Sequence, residues 1–255
     1  AGISLPPFGS LAINGRISGD TQKLQFSGET RFGDSLFQSA ISAAFASQRP
    51  AIAASFASDI VQLKDIGITP APLLEEIPKP AENTQPPTGA LFPDTPLPFE
   101  ILKDFDLVFY LNAETVVGQN IRIEKLDLDI TLENGRLRVF PCSMLYAIGF
   151  TEIDFILDAS GPNPFFELRV NGEGIDVEDL LARVHEPIIL SGKLDVLADL
   201  RSAGRSRREM ASNLAGELIL SIENGRIRRI VNFLSTDAMN LVFSTADQRR
   251  HTDLN

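Results

Sequence analysis

Few residues in this sequence have the type and spacing that catalysis needs. The two histidines, His185 and His251, have no Ser, Cys or acid placed beside them in sequence. The single cysteine, Cys142, excludes an intramolecular disulfide and gives no metal-ligand spacing. No G-x-S-x-G, P-loop or H-E-x-x-H motif is present. Active sites can assemble from distant residues, so this pattern lowers the expectation of an enzyme without removing it. We predict a protein that is not an enzyme and uses no cofactor or metal.

Asp127 and Asp129 come closest to a catalytic carboxylate pair. They lie in a segment, Leu126 to Glu133, in which every even position is aliphatic and every odd position is polar. A period of two indicates an extended strand, because successive side chains point to opposite sides of the pleat. We therefore interpret the two carboxylates as the solvated side of a strand. The same alternation recurs in Phe105/Leu107/Phe109/Leu111, Ile153/Phe155/Leu157, Phe166/Leu168/Val170, Leu194/Val196/Ala198/Leu200 and Leu218/Leu220/Ile222.

The charge of the chain limits its partners. A formal net charge of -11 argues against a nucleic-acid-binding protein, which needs clustered Lys and Arg to neutralise phosphates. The sequence has no run of about 18 apolar residues, as a membrane-spanning helix would need, so we expect it to be soluble. Since the chain lacks an initiating Met, we also expect it to be a piece of a longer protein. The basic clusters, interpreted as solvated arginines or as contacts to anionic lipid headgroups, are Arg205/Arg207/Arg208, Arg226/Arg228/Arg229 and Arg249/Arg250.

The turn and helix signals predict hairpins and only short helices. Glu133-Asn134-Gly135-Arg136 and Glu223-Asn224-Gly225-Arg226 are the same tetrapeptide, and Asn-Gly favours a type I′ hairpin turn. Ser206 begins a capping-box pattern. Further helices are predicted over 177–184 and 230–241. None of these helices is long enough to cover a sheet of many strands.

A proline-rich stretch divides the chain. Nine prolines lie between Thr69 and Pro98, and proline lacks the backbone donor that a strand needs. The predicted organisation is an N-terminal β segment over 1–69, a linker over 70–98 and a C-terminal β domain with short helices over 99–255.

The two halves carry a faint internal repeat. The segment from Arg49 to Ile66 parallels the segment from Asn163 to Leu180: each has a Pro, an alternating strand, a polar break and a short acid-bearing segment. A strand unit that cannot bury its own face is expected to stack on its neighbours in an elongated sheet.

An ordered pattern of a strand, a Gly-x-Ser helix start, a Leu-x-Gly strand and a Gly-Arg turn runs through Gly192-Lys193-Leu194-Asp195-Val196, Gly204-Arg205-Ser206, Leu214-Ala215-Gly216-Glu217-Leu218 and Asn224-Gly225-Arg226-Ile227. In this pattern the chain resembles the AsmA family and the related TamB-like envelope proteins. Glu133 to Leu137 and Gly172 to Asp176 are similar to the segments that precede this pattern in the family. Arg49-Pro50 and Gly33-Asp34-Ser35 resemble its N-terminal unit. The proline-rich insert departs from the family pattern, and the family's N-terminal membrane helix is not found.

The resemblance implies a mainly β fold: an elongated, curved antiparallel sheet that forms an open groove or half-barrel with a few short helices. It also implies a bacterial envelope protein in the periplasm, anchored to the inner membrane in its full-length form. Such a groove would shield phospholipid or another acyl-chain lipid and serve outer-membrane homeostasis. The alternative is a structural or assembly module that binds another envelope protein through an exposed sheet edge.

The residues that we predict to line the groove are the aliphatic and aromatic members of the alternating strands. For a soluble β protein, a closed sandwich or barrel with a dry core is the competing interpretation of the same pattern. The predicted lining residues are Phe105, Leu107, Phe109, Leu111, Leu126, Leu128, Ile130, Leu132, Phe155, Leu157, Phe166, Leu168, Leu194, Val196, Leu218 and Leu220.

Overall fold

The protein is built from one large β-sheet. The computed structural model describes residues 10–45, 49–67, 94–119, 121–183 and 190–227. The strands are β1 (Leu11–Gly19), β2 (Lys23–Phe32), β3 (Ser35–Ala44), β4 (Ala51–Gln62), β5 (Asp106–Val117), β6 (Arg122–Glu133), β7 (Arg136–Tyr146), β8 (Gly149–Asp158), β9 (Phe165–Asp176), β10 (Leu190–Ala203) and β11 (Ala215–Ile227).

The eleven strands follow one another in the sheet in chain order. Neighbouring strands are antiparallel, with one exception: β4 and β5 are parallel, and Ile52 lies opposite Leu107. The predicted class, a mainly β, open and mostly antiparallel sheet with few helices, is confirmed. The parallel pair means that the sheet continues without a break from the predicted N-terminal segment into the predicted C-terminal domain. The division into domains stays a prediction, and most of the predicted linker, 70–93, lies outside the described residues.

The helical elements are short. They are α1 (Val177–Arg183), α2 (Arg207–Ser212) and two 3₁₀ turns, Leu63–Ile66 and Phe99–Lys103. The hydroxyl of Ser206 accepts a hydrogen bond from the backbone N–H of Glu209 at 3.2 Å, so it caps α2 as its sequence pattern predicts. The predicted helix over 230–241, as well as His185 and His251, lies outside the described residues.

The two Glu-Asn-Gly-Arg tetrapeptides adopt different structures. Asn134 and Gly135 both have positive φ, 51° and 79°, and form the predicted tight turn between β6 and β7. The prediction of a second hairpin at Asn224-Gly225 is wrong. Here β11 continues to Ile227 and pairs with the beginning of β10 across a bulge at Gly192. The neighbouring strand, rather than the tetrapeptide, decides whether the chain turns back.

The two segments of the predicted repeat share one structure. In β4, Ser58 and Val61 are buried, and in β9, Gly172 and Ile175 occupy the corresponding places. In each strand the last two buried residues are three positions apart instead of two. The strict alternation is therefore shifted by one residue near the end of the strand, and the last of these residues is again buried. Each strand is then followed by a helical turn. β5 has the same spacing of buried residues, although the sequence analysis did not include it in the repeat.

Candidate functional site

The strand register places the alternating apolar residues on one side of the sheet. Phe109 lies opposite Ile130, Ile130 opposite Val139, Val139 opposite Phe155, and Phe155 opposite Leu168. We call this side the trough face and the opposite side the outer face. Phe105 lies just before β5, outside the strands. The other predicted lining residues lie in strands and on the trough face: Leu107, Phe109, Leu111, Leu126, Leu128, Ile130, Leu132, Phe155, Leu157, Phe166, Leu168, Leu194, Val196, Leu218 and Leu220.

The trough face also extends over β1 to β4, which the sequence analysis did not include among the lining strands. Ala54 lies opposite Phe109, and the row continues through Ile41, Phe26 and Ile17. The alternation of these short strands is visible in the sequence. What the sequence did not show was the parallel pairing of β4 with β5, which brings both halves onto one face.

The middle strands of the trough face are buried toward one end of the strands. Phe37, Val61, Ala113, Val116 and Leu126 form a core cluster, and Val116 is only 3% exposed. All the described strands belong to one sheet, so no second sheet covers them. Burial here therefore requires the sheet to bend over its own face, with help from Leu63 and Ile66 of the 3₁₀ turn after β4.

Aromatic rings connect this cluster along the trough face. Phe37 packs edge-on against Phe32 and Phe56, at centroid distances of 5.9 and 5.7 Å. Phe56 also lies 5.7 Å from Phe109. Each such pair is worth about 0.5–1.5 kcal/mol beyond the area that it buries. The rings therefore fix the curvature of β2 to β5.

The two outer ends of the trough face are open to solvent. Ile17 in β1 is 68% exposed and Leu220 in β11 is 59% exposed, although both lie on the same face as the buried core. Apolar side chains on this face that remain exposed at the sheet edges are Leu11, Ile13, Ile17 and Leu24 at one edge and Leu218, Leu220 and Ile222 at the other. Rows of apolar side chains thus lead from each sheet edge toward the buried core cluster.

A buried carboxylate closes the strand ends next to Val61 and Val116, which we call the core end. Asp65 is only 6% exposed and accepts hydrogen bonds from the backbone N–H groups of Asp34 and Ser35, at 2.9 and 3.1 Å. The Ser35 hydroxyl also donates to Asp65, at 2.9 Å, and accepts from the backbone N–H of Gln62. These bonds join the β2–β3 turn to the end of β4.

The first turn of α1 is held at the same end of the sheet. The Asp176 carboxylate accepts from the backbone N–H of Asp179 at 2.9 Å and from Lys193 Nζ at 3.1 Å. The backbone hydrogen bond first, and then the lysine, lower the pKa of Asp176 below the usual range of an aspartic acid. Asp176 thus begins α1 as a charged cap, at the start of the helix predicted over 177–184.

A segment that we call the strap, residues 94–105, crosses the opposite strand ends, which we call the strap end. Its Leu97 donates a backbone hydrogen bond to the Arg205 carbonyl at 2.8 Å, and Pro96 bridges to Ser206. The Ser206 hydroxyl donates to Asp94 at 2.9 Å. Residues 94–98 of the predicted linker are therefore fixed to the end of β10 and the start of α2.

The outer face carries charged residues over β7 to β10. Asp154 lies 3.4 Å from Arg138 and 3.8 Å from Arg169, which in turn lies 3.5 Å from Asp199. Asp127 points to the same face, where it accepts a hydrogen bond from the Asn112 amide. The outer face is thus hydrated where the trough face is apolar.

The groups that could do chemistry are dispersed. Cys142 lies in the core cluster, and burial raises the pKa of its thiol, so the thiol stays protonated at neutral pH. Within the described ranges, no group of three His, Cys, Asp or Glu side chains could hold a metal ion. The described arrangement is suited to binding apolar molecules by contact area.

In the part of the chain that the structure describes, no helix is long and apolar enough to cross a membrane.

Comparison with known proteins gives one match. No curated protein and no solved structure matches the chain. The profile of the AsmA family matches residues 11–251, nearly the whole chain. Family membership suggests an envelope-associated, lipid-related role. Because the family profile covers nearly the whole chain, and the sequence order of its strands also resembles the family, the chain belongs to the AsmA family.

Proposed function

We propose that this chain is a non-enzymatic groove segment that shields and passes phospholipid acyl chains in the bacterial envelope. The observation that carries the proposal is the apolar trough face, which is buried at the core cluster and exposed at both sheet edges. Its cellular setting would be the periplasm, with the full-length protein anchored in the inner membrane and active in outer-membrane homeostasis. Family membership supports this setting.

The energetics favour an apolar ligand without a specific polar site. Burying a fourteen-carbon chain is worth about 10 kcal/mol, at about 0.8 kcal/mol per CH₂. Exposed apolar residues such as Leu218, Leu220 and Ile222 lose contact with water when such a chain lies along them. A smooth apolar surface holds a chain without fixing its position, which suits a protein that passes lipid along a face.

Two variants of adjacent residues in β11 test this function. Leu220 faces the trough and Ile219 faces outward, and the two side chains are 59% and 45% exposed. Leu220→Asp is expected to reduce co-purifying phospholipid several-fold in native mass spectrometry, since a carboxylate would then lie on the apolar surface. Ile219→Asp is the matched control and is expected to retain the lipid.

The outcomes of this comparison separate the possibilities. Equal loss of lipid in both variants would indicate general damage to β11. Wild-type protein that carries no phospholipid, and takes none up from vesicles, would contradict the proposed function.

A second candidate function is supported by the sheet edges themselves. β1 and β11 are the terminal strands of the described sheet. The thirteen-residue β11 carries exposed apolar residues on both faces, such as Leu220 on the trough face and Ile219, which lies opposite Leu197, on the outer face. A long terminal strand of a sheet can accept a strand from another envelope protein. Proline at Ile219, an outward-facing position of this strand, is expected to weaken capture of such a partner while lipid binding is unchanged.

A further inference from the structure

A cavity lies beneath the strap, at the strap end of the trough. It has a volume of about 310 Å³ and is enclosed by the strap on one side and the β8–β9 turn on the other. Leu97 and Phe99 line it and are half-buried, whereas Ser160 and Gly161 form its opposite wall. The cavity therefore has both apolar and polar walls. Its lining residues Ala159 and Pro164 are each two positions in sequence from the paired trough residues Leu157 and Phe166, at the strap end of that row.

Two cations and one acid line this cavity. Lys103 is partly buried, with 33% of its side chain exposed, and its ammonium lies 3.2 Å from Glu100, whose side chain is 81% exposed. The third charged group is Arg205, whose backbone is held by the strap through Leu97. The exposed Lys103–Glu100 pair is worth only a few tenths of a kcal/mol. The ammonium can therefore turn to a stronger anionic partner at little cost.

We propose that this cavity holds the headgroup of an anionic phospholipid whose acyl chains lie along the trough face. The inference rests on the proposed function and adds a preference for lipid charge. Charge complementarity supports it: in a chain of net charge -11, both Lys103 and Arg205 line this cavity, against one acid, Glu100. Leu97 and Phe99 give the same cavity an apolar wall, against which the glycerol of the lipid would lie.

The test measures headgroup preference separately from lipid binding. Purified protein is titrated with dioctanoyl-phosphatidylglycerol and with dioctanoyl-phosphatidylcholine below their micelle concentrations, and the two dissociation constants are compared. We expect the wild type to favour phosphatidylglycerol. The variant Lys103→Gln/Arg205→Gln should lose about fivefold of this preference per cation, as expected for about 1 kcal/mol per basic residue beside an anionic headgroup. Binding of phosphatidylcholine should not change.

Two further variants control for net charge and for folding. Lys23→Gln/Arg31→Gln removes the same charge from β2, away from the strap, and is expected to keep the preference. Glu100→Gln removes the acid from the cavity wall and should increase the preference for phosphatidylglycerol, a gain that misfolding would not produce. Inorganic phosphate at millimolar concentration should not displace the lipid.

Each other outcome has a definite meaning. Equal binding of the two lipids by the wild type, or an unchanged preference in Lys103→Gln/Arg205→Gln, overturns the headgroup site and leaves the proposed function standing. Displacement by inorganic phosphate as effective as by lipid overturns the assignment to a lipid headgroup. Failure to bind either lipid overturns the proposed function, and the headgroup site with it.

Discussion

The middle and the edges of the trough face have the same sequence pattern and opposite environments. Val116 and Phe37 are buried in the core cluster, whereas Ile17 and Leu220 lie on the same face and are mostly exposed. Alternation specifies the face to which a side chain points, but the curvature of the sheet decides whether that side chain is covered. The same type of strand can thus supply stability in the middle and leave an apolar surface at the edge.

The largest effect should separate a core phenylalanine from an edge isoleucine. Phe37→Ala removes the ring that packs against Phe32 and Phe56, and we expect a loss of about 3–5 kcal/mol in the free energy of unfolding. Ile17→Ala removes an exposed side chain and should cost less than about 1 kcal/mol. Urea unfolding followed by circular dichroism measures both. Similar losses at the two positions would contradict the distinction between a dry middle and open edges.

The next largest effect concerns the carboxylate that closes the core end. Asp65→Ala leaves the buried N–H of Ser35 and the N–H of Asp34 without their acceptor, and we expect a loss of about 2–4 kcal/mol. Asp34→Ala is the matched control, because its carboxylate is exposed and pairs only with Lys64 at the surface. The same denaturation measurement applies. An Asp65→Ala variant as stable as Asp34→Ala would show that the 3₁₀ turn does not hold the β2–β3 turn.

A smaller effect should distinguish the two Glu-Asn-Gly-Arg sequences. Gly135 lies in a turn in the middle of the sheet with φ of 79°, so Gly135→Ala should cost about 1–2 kcal/mol. Gly225 lies in the edge strand without a positive φ, and a Cβ added there would first meet a side-chain methyl of the exposed Ile222. Gly225→Ala should therefore cost less than about 0.5 kcal/mol, as a typical surface substitution does. Thermal unfolding of both variants gives the comparison, and a reversed order would contradict the assigned turn and bulge.

The sequence predicts much of the local structure because local rules decide it. Period-two alternation identifies the strands from Leu107 to Leu220, the cap at Ser206 identifies α2, and Asn134-Gly135 identifies a tight turn. These features depend on residues that are close in sequence and on which face of the strand is apolar, so the amino-acid sequence is enough to predict them. The lining residues proposed for β5 to β11 share a face for the same reason.

The rest depends on contacts between distant segments. Parallel pairing of β4 with β5 follows from where the chain re-enters the sheet, which alternation does not specify. Residues 94–98 of the strap were predicted as linker because their prolines exclude a regular strand, yet the Pro96–Ser206 bridge and the Leu97–Arg205 hydrogen bond fix them. The shift in alternation before Val61 depends on matching shifts in the neighbouring strands. Likewise, the second Asn-Gly forms a bulge because β10 remains beside it.

The smallest predicted effect tests whether the middle of the trough face is dry. Thr151 points to this face, between Met144 and Gly172, and its hydroxyl oxygen is buried without a hydrogen-bond partner in the structure. In a dry environment an unpaired hydroxyl is unfavourable, so the isosteric Thr151→Val should raise the free energy of unfolding, by about 1 kcal/mol. Thermal and urea unfolding of the lipid-free protein would measure the gain. A loss of stability would instead indicate that water reaches the hydroxyl and that the openness of the edges extends into the middle of the trough.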